Sequence, residues 1–483
     1  MQLTFVKAAV YMVCKGYNNI IGPSTRRGPR HDYLNWGVRV VKCSQCRYVL
    51  AAWVLCLVLG LGHGAGSRVW AQEPNVGLPP DLQALIAESL QANAEVKQMA
   101  SLAGATKETI KSAGALEDPT VSFGMLNLPV DTWRLNQDPM TQKMLELSQK
   151  FPFPGKRRLR AEVAAEQAKS DDLAYRDKAN EIRAKVVIDY WNLALAYAGF
   201  DIVQKNKQFW EQVVQVTETR YKVGQGMQAD VLQAQVELGN YLDRLFQWKQ
   251  RQESLQADLN ALRSQPPQTP VGRPQPLKPR PVALKLDDLL AQAEVRPQLQ
   301  ALKALVAKQQ KAVDLAKKEY FPDATVSLGY AFRETLGPPV NLKQADMFSG
   351  GVMFNIPIWQ VSKIKPRIRE EEGRQAAAQS VVQNTWNQVG AAIKDRHAKL
   401  MRLTQQIVLY NQGIVPQARQ AVEASLASYQ VGSLGFERLY QTQIAAYNAE
   451  LTMKEYLKDF EENWAELEWL VGQELSRPAG GKP

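Results

Sequence analysis

The stretch GQGMQA, Gly224 to Ala229, has the glycine spacing with which a backbone loop approaches a dinucleotide's pyrophosphate. Cys43 and Cys46 form a C-x-x-C, the spacing of a redox pair or of half a zinc site. Each signal depends on its context. The glycine fingerprint works only after a strand and at a helix N-terminus, where free amides and the helix dipole meet the phosphates. Here a very long helical pattern precedes it. A second stretch, YQVGSLGFERLYQTQ (Tyr429 to Gln443), keeps the Tyr, the Val-Gly and two later Gln of YKVGQGMQADVLQAQ (Tyr221 to Gln235) and loses the remaining glycine pattern. The copy marks a repeated turn rather than a nucleotide site. HExxH, GxSxG and P-loop patterns are absent, so no enzyme constellation is offered.

The C-x-x-C fails for a different reason. All four cysteines (Cys14, Cys43, Cys46, Cys56) fall within residues 1–71, which read as a presequence. Its apolar run, residues 49–62, follows Lys42 and Arg47 and precedes small residues, as a secretory signal does, and it is short of the roughly 20 residues of a membrane span. Cleavage is expected after Ala71, with Ser67 the alternative. The surplus upstream of the signal points to initiation near Val38 to Val41. Cys56 follows Leu55, where lipid attachment needs a small residue, so no lipid anchor is expected. After residue 71 the chain has no thiol, which excludes disulfides and Cys-ligated metal and suits an oxidising periplasm. His397 is its one histidine and reads as an ordinary helix residue; the methionines are scattered, so neither a metal site nor a cofactor is expected. The formal charge of +11 is concentrated at the front: beyond residue 71 the balance is 50 basic to 47 acidic residues. Nucleic acid is not an expected partner.

The elements that carry the two turns come in duplicate. TVSFG at Thr120 to Gly124 returns as TVSLG at Thr325 to Gly329, Phe151-Pro152 as Ile356-Pro357, and the Tyr221 turn as the Tyr429 turn, in the same order at offsets of 205, 205 and 208 residues. A Pro-rich linker, 264–284, separates a first repeat, 72–263, from a second, 285–483. Each repeat opens on a helical run (Asp81 to Ala115; Asp287 to Glu319). A β-hairpin follows, 119–152 in the first repeat and 324–358 in the second, with strands that alternate apolar against small or polar residues. The returning strand of the second hairpin is expected to run through Val352, Phe354, Ile356 and Ile358. Long helical hairpins then fill 155–263 and 360–472. From Lys156 to Lys222 there is no proline and Gly199 is the one breaker. A 4,3 spacing links Ile182, Val186, Asp189, Leu193, Ala196, Phe200, Val203, Lys207, Trp210, Val214, Thr217 and Tyr221 in a coiled-coil pattern. In the second repeat the pattern runs from Ile393 to Ile414, and Pro416 marks a kink. The fold class is therefore mainly α with a small β part.

Strands of about 9 to 11 residues suit a tilted bilayer crossing, but four cannot close a barrel, and open edges are not tolerated in lipid. Three copies would supply twelve strands and begin to leave a lumen. A homotrimer in a lipid bilayer is expected, with Ser122, Gly124, Ser327 and Gly329 facing water.

This combination resembles the TolC-like outer membrane efflux channels over essentially the whole chain after the presequence. The resemblance rests on the duplicated halves, the two hairpins, SQKFPFPGKRRLRAE after the first hairpin, and the paired tips RYKVGQGMQADVLQAQ and SYQVGSLGFERLYQTQ. It implies a twelve-stranded barrel continued by a periplasmic helical tunnel, working with a periplasmic adaptor and an inner-membrane pump. It also implies a passive, gated conduit. Val223, Gly224 and Gln225 with Val431, Gly432 and Ser433 match the tips that meet the adaptor. Asp230 matches a gate carboxylate and Tyr429 its hydroxyl partner, although an Asp just past a turn also serves as a helix cap. Leu434 stands where an arginine is expected, and Arg438 and Gln441 where a second acidic ring is expected. FPFPGKRR is similar to the heavy-metal branch; cargo reads as heavy-metal cations or drugs. The rival is a periplasmic coiled-coil adaptor without a pore, which leaves the four amphipathic strands unexplained.

Overall fold

A computed structural model describes residues 78–476. The signal run, the cleavage sites and the four cysteines lie outside these residues. The described chain opens with α1 (Pro80–Ala92) and α2 (Ala94–Gly114), then β1 (Thr120–Leu126), β2 (Gln142–Phe151), α3 (Lys156–Lys222) and α4 (Gln228–Leu262). The second half repeats that order: α5 (Leu286–Ala293), α6 (Pro297–Lys318), β3 (Asp323–Phe332), β4 (Met347–Asn355), α7 (Lys365–Leu409), α8 (Val415–Gln430) and α9 (Phe436–Val471).

Each opening helical run is broken once. Asn93 caps α2: its Oδ1 accepts from the amides of Glu95 (2.9 Å) and Val96 (3.2 Å), and its Nδ2 donates to the Leu262 carbonyl at 3.0 Å. The cap gives the free amides of α2 a partner and ties the break to the end of α4. At the matching break Pro297 begins α6, and Arg296, 2% exposed, pairs with Asp177 of α3 and stacks over Trp469 of α9.

The four strands form one antiparallel sheet in the order β1-β2-β3-β4. Its register puts Ser122, Glu146, Gly329 and Ser349 in one row and Gly124, Met144, Ala331 and Met347 in the next. Ser148, Ser327 and Gly351 continue the same face. The four small positions singled out in the sequence therefore share one face, while Val121, Phe123, Leu145, Leu147, Leu328 and Val352 project from the other and are exposed. Gly329 is closely covered, since a Cβ there would lie 2.6 Å from Ser349 Oγ and 2.8 Å from Met144 Cε. β4 is shorter than expected: it stops at Asn355, so Ile356 and Ile358 lie past the ladder, beside a Pro357 that has no amide to donate.

α3 is one helix of 67 residues, about 100 Å long at 1.5 Å per residue. Below the middle its buried seam is Gly199, Val203, Asn206, Trp210, Val213 and Thr217. The expected heptad shares Val203, Trp210 and Thr217 but is displaced by one residue at Phe200, Lys207 and Val214, which are half-buried, and Tyr221 is exposed. The cause lies at Gly199. A Cβ there would sit 2.7 Å from the Trp248 ring of α4, so this glycine admits a close helix contact and does not break α3. In the second half the discontinuity is a π-helical turn at Tyr410–Ile414, just before Pro416.

The Pro-rich linker packs instead of trailing free. Val271 and Leu277 enter the main core with Leu193, Trp464 and Leu467, and the Gln275 amide donates to the Tyr190 hydroxyl at 2.9 Å. His397 of α7 bonds the Leu284 carbonyl at 3.1 Å. Nearby, burial and then the charge of Asp258 push the Asp189 carboxyl up to about 6; Lys185 opposes this and Glu462 adds to it.

Two stability outcomes follow from this packing. Gly199→Ala is expected to cost about 1–3 kcal/mol by overpacking against Trp248, with Trp248→Leu restoring most of it, read as thermal unfolding of the single and double variants. Asp189 binds its proton more tightly folded than unfolded, where a carboxyl titrates near ~3.9. Its contribution therefore falls as pH rises from about 4 to about 6 and is level above. Asp189→Asn should then add on the order of 1–2 kcal/mol at about pH 7.5 and close to nothing at about pH 4, checked by melting at both values.

Candidate functional site at the hairpin tips

α3 and α8 both end on a left-handed glycine, Gly224 (φ 73°) and Gly432 (φ 81°). In the first turn the Gln225 amide donates to the Arg220 carbonyl at 2.8 Å and the Gly224 amide to Tyr221 at 3.0 Å. In the second, Ser433 donates to Ser428 at 3.0 Å and Gly432 to Tyr429 at 3.0 Å. Both are Schellman closures, and the pattern needs a residue that tolerates positive φ at the glycine position. Val223, Gln225, Val431 and Ser433 are exposed around these glycines, with Val431 at 80%.

The two turns of one chain are joined by a residue that the sequence reading left aside. Arg220, in the last turn of α3, donates from Nη1 to the Tyr429 carbonyl and from Nη2 to the Gln225 carbonyl at 3.0 Å. Its guanidinium also lies 4.7 Å from the centre of the Tyr429 ring. One cation thus sits at the carbonyl ends of two helices, where the helix dipoles favour positive charge. The sequence signal was a mismatch between repeats: Arg220 and Ser428 occupy equivalent turn positions.

The structure brings Asp230 and Tyr429 together. Tyr429, 2% exposed and packed against Phe436, donates its hydroxyl to Asp230 Oδ2 at 3.3 Å. Burial and then the Asp230 charge push the phenol up to about 12, with Arg220 opposing. Asp230 lies in the first turn of α4, whose N-cap residue, Met227, makes no side-chain cap hydrogen bond. Leu434 is half-buried in the second turn, and the Gln441 side chain donates to Glu437 at 2.8 Å. Among the described residues no group of His, Cys, Asp or Glu is placed to hold a metal ion.

The duplicated helix–hairpin–helix units, the single sheet and the paired tips have a counterpart among known proteins. The family model described as outer membrane efflux protein matches residues 85–264 and 289–473. The chain belongs to the outer membrane efflux protein family. Its fold is shared by VceC of Vibrio cholerae, an outer membrane protein (18% identity, TM-score 0.69, covering 81% of this chain and 96% of that one). It is shared too by the open-state MtrE outer membrane channel of Neisseria gonorrhoeae (15%, 0.68, 82% and 90%). CusC, described for transmembrane channel formation, is similar over 83% of this chain and 96% of its own at 15% identity and a TM-score of 0.68. No curated protein sequence matches the chain.

In this outer membrane efflux protein the tips are held by backbone closure first and side chains second. Gly432→Ala is expected to cost about 1–2 kcal/mol by forcing a side chain into the left-handed region. Gly239→Ala, at an exposed position inside α4 with open space around the new Cβ, should instead be neutral or stabilising by up to about 1 kcal/mol, and thermal unfolding of the two variants side by side checks the difference.

Proposed function

We propose that three copies of this chain close their sheets into one twelve-stranded outer membrane barrel, continued by the long helices into a periplasmic tunnel that ends at the paired tips. The carrying observation is the sheet itself: four strands with β1 and β4 unpaired along their outer sides and an exposed apolar face. Such edges need partners in hydrocarbon, and copies of the same chain supply them. The small and polar face, with Ser122, Gly124, Ser327 and Gly329, then lines the lumen. An adaptor protein without a pore leaves both the edges and the apolar face without a purpose.

In this reading the protein is a passive conduit. It performs no bond chemistry, and it takes cargo from an inner-membrane pump through a periplasmic adaptor that meets Val223, Gly224, Gln225, Val431, Gly432 and Ser433. The three Asp230 carboxylates and their Tyr429 partners form the closed mouth. Charges of one sign gathered on an axis repel unless paired or hydrated, so the bond at 3.3 Å offsets part of that repulsion. Arg220 supplies the cation that the second turn lacks at Leu434, and it holds both hairpins of a protomer as one body.

Asp230→Ala and Tyr429→Phe are each expected to raise single-channel conductance in planar bilayers several-fold while the protein still extracts as a heat-modifiable trimer. Unchanged conductance in intact trimers removes both residues from the gate.

A further inference from the structure

At the foot of the sheet the chain changes character within a few residues. Phe153 and Phe321 stack at 4.5 Å, and the Lys318 ammonium lies 5.8 and 5.3 Å from their ring centres. Lys156 is buried and committed, donating to Asp323 at 2.7 Å and to the Phe321 carbonyl at 2.9 Å. Beside them opens a cleft of about 320 Å3, walled by the ends of α6 and β4 and the starts of α3 and α7. That volume lies within the range of small-molecule sites, ~300–1,000 Å3.

The walls of the cleft have two kinds of lining. Ile356 (68% exposed), Ile358 (70%) and Trp359 (70%) line one side, continuing from Phe354 on the apolar face of the sheet. The other side carries Arg160, Lys363 and Arg367. Arg367 pairs with Glu319 at 3.3 Å, whereas the nearest carboxylate to Arg160 is Glu117 at 3.9 Å, and Lys363 forms no ion pair among the described residues. With the acids Glu319 and Asp323 matched by Arg367 and Lys156, Lys363 is left without an ion pair at the mouth of an apolar cleft, and Arg160 has one long pair to a Glu117 that Lys150 holds more closely at 3.0 Å.

We propose that this cleft binds the headgroup of an anionic phospholipid from the periplasmic leaflet of the outer membrane. The phosphate is held by Arg160 and Lys363, the acyl chains lie along Ile356 and Ile358, and the Trp359 indole sits at the boundary. A guanidinium and an ammonium match a phosphate, and an amphipathic ring beside aliphatic side chains matches the line where headgroup meets hydrocarbon. The site rests on the barrel reading, because that reading puts the end of β2, the start of β3 and the end of β4 at the periplasmic boundary of the bilayer.

The test is native mass spectrometry of the intact trimer, offered equal amounts of phosphatidylglycerol and phosphatidylcholine in detergent. Retention of the anionic lipid over the zwitterionic one by roughly tenfold is expected. The double variant Arg160→Gln/Lys363→Gln should lose that preference at unchanged trimer mass and single-channel conductance. Equal retention of the two lipids, or an undiminished preference in the double variant, overturns the proposal. So does a Lys363 that an amine-reactive reagent cannot reach in lipid-free trimer, which would place a neighbouring copy in the cleft. A wild-type protein that is not a trimer overturns the barrel reading and this site with it, whereas a conducting trimer without lipid preference overturns the site alone.

Discussion

An amide or carbonyl at the edge of a sheet needs a partner, and in hydrocarbon no water supplies one. Everything about the β part of this chain answers to that requirement. Four strands are too few to close on themselves, and the two outer ones belong to different repeats: β1 opens the first hairpin and β4 ends the second. Duplication therefore gives each chain a sheet whose left and right edges are distinct, the condition for a head-to-tail ring. The bilayer accounts separately for the apolar strand face, whose side chains meet hydrocarbon where a soluble sheet would meet water.

The helices face the opposite problem. They stand in water, bury their own seams, and need length rather than closure. α3 achieves that by an unbroken run whose seam shifts at Gly199 to admit Trp248, and the second half achieves it by a π turn before Pro416. At the far end the backbone closes each hairpin on a left-handed glycine, and Arg220 then joins the two hairpins. Carbonyl ends, a cation, a buried phenol and a carboxylate are stacked in sequence, each satisfied by the next.

What the sequence disclosed followed from periodicity. Strands with period two and helices over tens of residues were legible because each is a long, uniform signal, and the duplication reinforced them. Short-range interruptions were harder: Asn93 breaks a run whose apolar pattern continues across it, and β4 stops before Ile356 although alternation persists there. The heptad was one residue off on one seam because spacing alone cannot tell a tolerated glycine from a breaker, and Trp248 settles which it is. Arg220 was missed for another reason: its mismatch with Ser428 in the copied turn marks the position but names no partner. Its acceptor at Tyr429 lies 209 residues away, so nothing local to either residue announces the contact. Asp230 and Tyr429 were paired by family resemblance, and the bond between them spans 199 residues.

The central claim is that β1 of one copy pairs with β4 of the next. The chain beyond residue 71 has no cysteine, so pairs of cysteines can be introduced along the two strands and oxidised in the membrane. Within one chain those strands are separated by two others, about 14 Å at the usual strand spacing, beyond the ~7 Å reach of a disulfide between Cα atoms. The account predicts covalent dimers and trimers that need a cysteine on both strands. Oxidised protein that stays monomeric at every register along β1 and β4 would contradict it.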